Sequence, residues 1–208
     1  WNALPSRATP QGSALLPTSK FAVMRSGLGP SDLYLAVGYG PWIEHELESH
    51  SHNDPLGFVC AGLGVPLAIE AGGPATYDDP SYYRWYQAAR AHNVVLVDGQ
   101  DPDTHQRDGQ LLHWSTSPVA DLFSARHCGY LATKGVTHRR TILFVRDDYW
   151  VVHDDLHQGA GSHRFDWLLH LPNEFSLSHG AALPTAGPGL VVLPVVPQDG
   201  GLEESDGG

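Results

Sequence analysis

Residues 140–155 read RTILFVRDDYWVVHDD, and this stretch decides the fold class. Two runs rich in Ile, Val, Phe, Tyr and Trp, RTILFVR (140–146) and YWVVHDD (149–155), flank the pair Asp147–Asp148. Apolar, β-branched and aromatic runs broken by two turn-forming residues predict a β-hairpin. Working outward, runs of the same kind recur: KFAVMR (20–25), DLYLAVG (32–38), GFVCAG (57–62), VPLAIE (65–70), NVVLVDG (93–99), VADLFSAR (119–126), HRFDWLLHL (163–171) and LVVLPVV (190–196). Gly-Pro, Asp-Gly and Asp-Pro steps separate them, and Gly and Pro supply 23 and 16 of the 208 residues. Only residues 80–91 read as helical. Closely spaced strands without alternating helices predict an all-β, antiparallel β-sandwich rather than a βαβ sheet. The expected organisation is a linker or extended lead-in over 1–19, one sandwich domain over 20–198, and a disordered acidic, glycine-rich tail over 199–208.

Composition narrows the function classes. The formal charge is −11 and no basic stretch stands out. Nucleic-acid binding by phosphate neutralisation is therefore not expected. No apolar run approaches the 18 residues that a membrane-spanning helix requires. Two cysteines, Cys60 and Cys128, make no disulfide framework, so the redox compartment stays open.

Histidine is abundant, with 13 residues, and the densest polar chemistry is HSHND, residues 50–54. His50 and His52 stand two apart, which puts them on one face of an extended segment. Glu70 ends the run VPLAI, and His92 lies in ARAHNVV. Two imidazoles and a carboxylate form a ligand set that suits zinc. Asp54 and Asn93 are available to orient the imidazoles. The bland alternatives are a solvated Glu70 at a strand end and a hydrogen-bonded core His92. Arg84 and Arg90 are candidates for pairing with a substrate carboxylate or sulfate, against an ordinary salt-bridge role. Tyr82, Tyr83, Trp85 and Tyr86 form an aromatic cluster suited to the core or to sugar stacking. Arg139 and Arg140 read as structural. Asp101, Asp103 and Asp108 read as a solvated loop rather than a calcium site.

Five motifs in order carry a resemblance: HSHND, GVPLAIEAGGPATY, YYRWYQAARAHNVVLVDGQ, RRTILFVRDDYWVVHDDL and WLLHLP. Over residues 20–172 the chain resembles the C-terminal β-sandwich region of the heparinase II/III-like polysaccharide lyases. The resemblance implies a metal held by His52, Glu70 and His92, with zinc in a structural role. Similar enzymes usually carry Asp where this chain has Glu70, and the extra methylene shifts the metal or the backbone. His50 corresponds to a histidine at the catalytic cleft, and Tyr77 to a nearby tyrosine. The implied reaction is β-elimination on a uronic-acid glycan, in which a base takes the C5 proton and the bond from C4 to the leaving oxygen breaks. Negative charge building on the substrate carboxylate must be neutralised, and an acid must protonate the leaving oxygen. His50 is assigned to carboxylate neutralisation or to proton handling.

Similar lyases also carry an N-terminal α/α toroid that supplies catalytic residues, and nothing in this chain reads as one. The chain opens at Trp1 without a leader-like segment, and the expectation is a fragment or one domain of a longer lyase. The substrate class implies a periplasmic or secreted parent protein. Two other readings compete. One is a cupin-like metal enzyme, although Glu70 lies far beyond the short spacing a cupin uses. The other is a non-catalytic, carbohydrate-binding or scaffolding sandwich.

Overall fold

The computed structural model describes residues 12–40, 52–76, 78–103, 109–172, 175–179 and 181–195. The hairpin that opened the sequence reading is its longest element pair. Strands β9 (Val136–Val145) and β10 (Tyr149–Gln158) run antiparallel over ten residues each, from Tyr149 opposite Val145 to Gln158 opposite Val136. The loop between them holds three residues rather than two. Arg146 joins the two aspartates, and Asp147 takes the left-handed conformation at φ 62°, which Asp tolerates better than most residues. Inner positions of β9 alternate with outer ones, as a strand's period of two requires. His138, Arg140, Ile142 and Phe144 are all buried.

Strand β8 (Ala120–His127) continues the sheet beside β9, and β7 (Gly109–Thr116) forms its edge. A facing five-stranded antiparallel sheet contains β1 (Ala14–Leu16), β2 (Phe21–Arg25), β3 (Tyr34–Gly38), β4 (Phe58–Gly62) and β5 (Val65–Ala68) in sequence order. The two sheets share one core. Met24, Leu35, Val37, Phe58 and Leu67 come from one side, and Phe123, Ile142 and Phe144 from the other. Burying each large apolar side chain contributes about 1.5–3 kcal/mol, so this layer holds the sandwich together. The expected antiparallel sandwich is what the structure contains.

Smaller elements complete it. Strand β6 (Val95–Val97) pairs with β11 (Phe165–Trp167), and β12 (Phe175–Ser178) pairs with β13 (Ala181–Pro184). A single turn of helix, α1 (Leu131–Lys134), is closed by Gly135 at φ 66°. Among the described residues no helix is long and apolar enough to cross a membrane.

Three expectations need correction. Residues 14–16, read as lead-in, form β1, which pairs Leu15 with Ala22. Its neighbour Ser13 hydrogen bonds the buried Asp121, which also pairs with Arg146. Residues 190–196 form no strand among the described residues and contribute only a bridge between Val192 and Ala182, because Pro194 cannot donate to a ladder. The helical stretch 80–91 is two short pieces, a π-helical turn at Tyr82–Tyr86 and a 3-10 turn at Ala89–Ala91. The tail at 199–208 lies outside the described residues.

Candidate metal centre

The sandwich brings three separate segments to one end. The 52–54 segment precedes β4, Glu70 follows β5, and His92 precedes β6. Each lies just off a strand, where the neighbouring ladder fixes the backbone.

Backbone and side-chain ties set their spacing. The Asn53 amide donates to the Gln87 carbonyl (2.8 Å), and its Nδ2 donates to Asp101 (2.9 Å). Asp101 also accepts from the Ala89 amide (3.1 Å), so this exposed loop aspartate is a structural tie as well. The imidazole that Asn93 meets is that of His170, whose Nδ1 lies 3.3 Å from its Oδ1. Asn93 is fully buried, and its Nδ2 donates to the carbonyls of Phe58 (2.8 Å) and Ile69 (2.9 Å). Its Oδ1 accepts from the His170 amide (2.6 Å). Asn93 thus holds the backbone next to Glu70 against the backbone next to His92.

The geometry around His92 settles its tautomer. The ring is buried, and Nε2 lies 2.9 Å from the Tyr86 carbonyl oxygen. A carbonyl can only accept, so Nε2 carries the hydrogen. Nδ1 then faces the Glu70 carboxylate directly. A bare lone pair against a carboxylate is repulsive, so the contact needs a proton or a cation between the two atoms. The carboxylate of Asp54 completes the group. Ligand atoms of Asp54, Glu70 and His92 all lie within 4.8 Å of one another. The His52 ring lies beside His92 at 5.1 Å between centroids, and Tyr82 meets it edge-on at 6.1 Å.

The electrostatics agree. Burial opposes a charge on His92, but the hydrogen bond and charge of Glu70, the charge of Asp54 and the Tyr86 carbonyl outweigh it and raise its pKa. His52 moves down, through burial first and then repulsion from His92, partly offset by Glu70. His170 moves down for the same leading reason, with Glu70 opposing and His92 adding. The donor set fits a borderline cation such as zinc: imidazole nitrogen, two carboxylates and a second imidazole alongside.

Of the expected trio, Glu70 and His92 come together, and the His52 ring stands beside them without its ligand atoms joining that group. Asp54, expected only as an orienting partner, groups directly with Glu70 and His92, and the i, i+2 argument applied to His50 and His52 would have found it beside His52. His170, visible in WLLHLP, was not singled out at all. An open depression of about 440 Å³ lies beside the centre, lined by His52, Tyr82 and the 72–76 loop. Arg84 and Arg90 are exposed on the helical turns, and Arg90 donates to the Arg84 carbonyl (2.7 Å). His50 and Tyr77 lie outside the described residues.

A sequence model of the family described as "Heparinase II/III-like, C-terminal" matches residues 8–201. The chain belongs to this heparinase II/III-like family. Among solved structures, this heparinase-like C-terminal region is similar to the heparinase III BT4657 gene product, with a TM-score of 0.73, 21% identity, 86% of this chain covered and 27% of that chain. A heparan sulfate lyase HepC mutant from Pedobacter heparinus gives 0.72, 21%, 86% and 28%. A further heparinase III gives 0.70, 17%, 85% and 28%. The heparinase-like chain thus spans little more than a quarter of the length of these structures. No curated protein matches it in sequence.

Proposed function

We propose that this chain is the β-sandwich part of a polysaccharide lyase that cleaves uronic-acid-containing glycans by β-elimination. A zinc ion would sit at the centre, held by His52, Glu70 and His92, with Asp54 close enough to share it. The observation that carries the metal reading is the His92 imidazole, whose Nε2–H is spent on the Tyr86 carbonyl while Nδ1 faces Glu70. Zinc, when bound, would supply positive charge that cross-links three chain segments under the cleft. The chain's own residues would do the rest. His52 and Tyr82 form one wall of the depression, and the 72–76 loop forms another. His50 would neutralise the substrate carboxylate or handle a proton, and Tyr77 would work beside it. Arg84 and Arg90 would offer guanidinium groups to acidic substituents of the glycan.

The relatives' greater length supports a longer parent protein, in which a toroidal N-terminal domain would contribute the remaining catalytic groups. A polymeric uronate substrate would place that protein in the periplasm or outside the cell.

Elemental analysis of the purified chain tests the centre. About one zinc per chain is expected, lost in His52→Ala, Glu70→Ala and His92→Ala. A metal-free wild type would refute the zinc assignment. The lyase reading is tested separately, with the toroid region restored, by the ultraviolet absorbance of an unsaturated uronate product. Retention on glycan without product would favour a binding module instead.

A further inference from the structure

The inner face of β9 carries a cation where a sandwich normally places an aliphatic residue. Arg140 is fully buried, with its guanidinium carbon 5.2 Å from the Phe58 ring centre. Asp154, opposite it on β10, takes two of its donors, Nε at 2.8 Å and Nη2 at 2.9 Å. Neutralising a buried charge needs no more than that pair. Yet Nη1 makes two further bonds, to the carbonyls of Leu56 (2.7 Å) and Asn93 (2.8 Å).

These carbonyls belong to the two segments that carry the centre. Leu56 stands two residues after Asp54, and Asn93 directly follows His92. The Leu56 side also holds strain. The turn from Asp54 to Gly57 is closed by the Gly57 amide on the Asp54 carbonyl (2.8 Å), and it puts Leu56 at φ 58°. A non-glycine residue there is strained and persists only when its surroundings impose it. The buried Leu56 side chain and the Nη1 bond to its carbonyl are what impose it.

We infer that Arg140 is a positioning residue for the metal centre: one guanidinium fixes the distance between the segment carrying His52 and Asp54 and the segment carrying His92. The inference rests on the metal reading above. The planar fork of arginine can serve Asp154 and both carbonyls at once, whereas the lysine ammonium is a point charge on a flexible stem. Charge alone therefore does not replace it.

The test compares Arg140→Lys with Ile142→Ala, a cavity-forming change two residues along the same buried face. Zinc affinity is measured by competition with a chromophoric chelator, and hydrogen exchange is followed in the metal-free chain. Arg140→Lys is expected to weaken zinc binding at least tenfold and to speed exchange of the Asn53, Gly57 and His92 amides. Ile142→Ala is expected to lower stability while keeping wild-type affinity and wild-type exchange at those amides. Equal affinity in Arg140→Lys and wild type, or an equal loss in both variants, would overturn the inference. If Arg140→Lys does not fold, Asp154→Asn, which loosens the guanidinium without changing shape, decides it: unchanged zinc affinity overturns the role. If the wild type takes up no zinc, the metal reading falls by itself. The exchange data then judge the positioning: selective acceleration in Arg140→Lys sustains it, and unchanged protection ends it.

Discussion

Replacing Asn93 with alanine removes one side chain and strands three backbone groups. The Phe58 carbonyl, the Ile69 carbonyl and the His170 amide each lose their bond to it. A buried polar group left without a partner costs about 1–3 kcal/mol. The Phe58 bond is wholly buried, so its carbonyl loses the full amount, while the other two are partly accessible and water recovers some of theirs. The sum comes to about 3 kcal/mol. For a domain near 200 residues this corresponds to a fall of roughly 6–12 °C in Tm. The same substitution frees the backbone beside Glu70 from the backbone beside His92, so zinc uptake should fall with stability. Urea unfolding of the metal-free chain, paired with elemental analysis, reads both effects. An Asn93→Ala chain within about 0.5 kcal/mol of wild type, the scale of ordinary surface changes, would refute the account of Asn93 as the tie between these segments.

Acid should weaken the fold through its buried histidines. His127 donates through Nε2 to His138 Nδ1 (3.0 Å), and His138 Nε2 donates to Asp154 (2.6 Å), with Arg140 and Tyr130 also against the pair. Burial, followed by the charges of His138 and Arg140, pushes the His127 pKa well below 6.5. Its folded pKa lies under its unfolded one, so the stability it contributes is full above about pH 6.5 and is lost as pH falls below that. His127→Gln should flatten the stability profile there by about 1.4 kcal/mol per pH unit, measured by urea titrations at several pH values; an unchanged slope would contradict the neutral buried pair. The thiols should differ in reactivity. Cys60 is buried with its pKa pushed up to about 12, whereas Cys128 is partly accessible and neither is bridged, so a thiol reagent should modify Cys128 in the native chain and Cys60 only after unfolding. Gly109→Ala should destabilise by about 1–3 kcal/mol, because a Cβ there would collide with the carbonyls of Tyr39 and Gly40; wild-type stability would contradict that packing.

The β9–β10 hairpin was legible because both partners and the turn lie within one stretch of sequence. Strand β7 was not. It is an edge strand with a register shift between Leu111 and His113, so its apolar residues fall out of phase and no alternation shows. Strand β1 is three residues long in a Pro- and Ser-rich context, and only its pairing with β2 makes it a strand. Residues 190–196 erred the other way, since among the described residues their strong β-propensity finds only the Val192–Ala182 bridge. Propensity is a preference for half-buried, paired surface, and here little pairing is available. For the centre, residue types and family resemblance named His52, Glu70 and His92, but no spacing along the chain requires them to meet. That proximity comes from long-range ties between segments outside the ladders, the Asn93 Nδ2 on the Ile69 carbonyl and the Ile69 amide on the His170 carbonyl, which hold the chain beyond β5 against the chain before β6.

The arrangement on β9 explains why stability and site can be separated in part of this fold and not in the rest. Ile142 and Phe144 face the apolar layer between the sheets, where neighbours interchange by volume and contact. Arg140 and His138, on the same face one turn of the alternation earlier, enter a hydrogen-bonded set with Asp154, His127, and the carbonyls of Leu56 and Asn93. Trp167 also donates to Asp154 (2.7 Å), which brings β11 into the same set. A buried ion pair of this kind adds little net stability over well-packed apolar residues. Its specific effect is directional: each donor fixes one acceptor at one angle, which dispersion contacts cannot do. Apolar substitutions at the Phe144 end should therefore change stability and leave the centre's geometry alone. At the Arg140 end, the groups that hold the fold are also those that set the spacing of the centre, so a change there moves both.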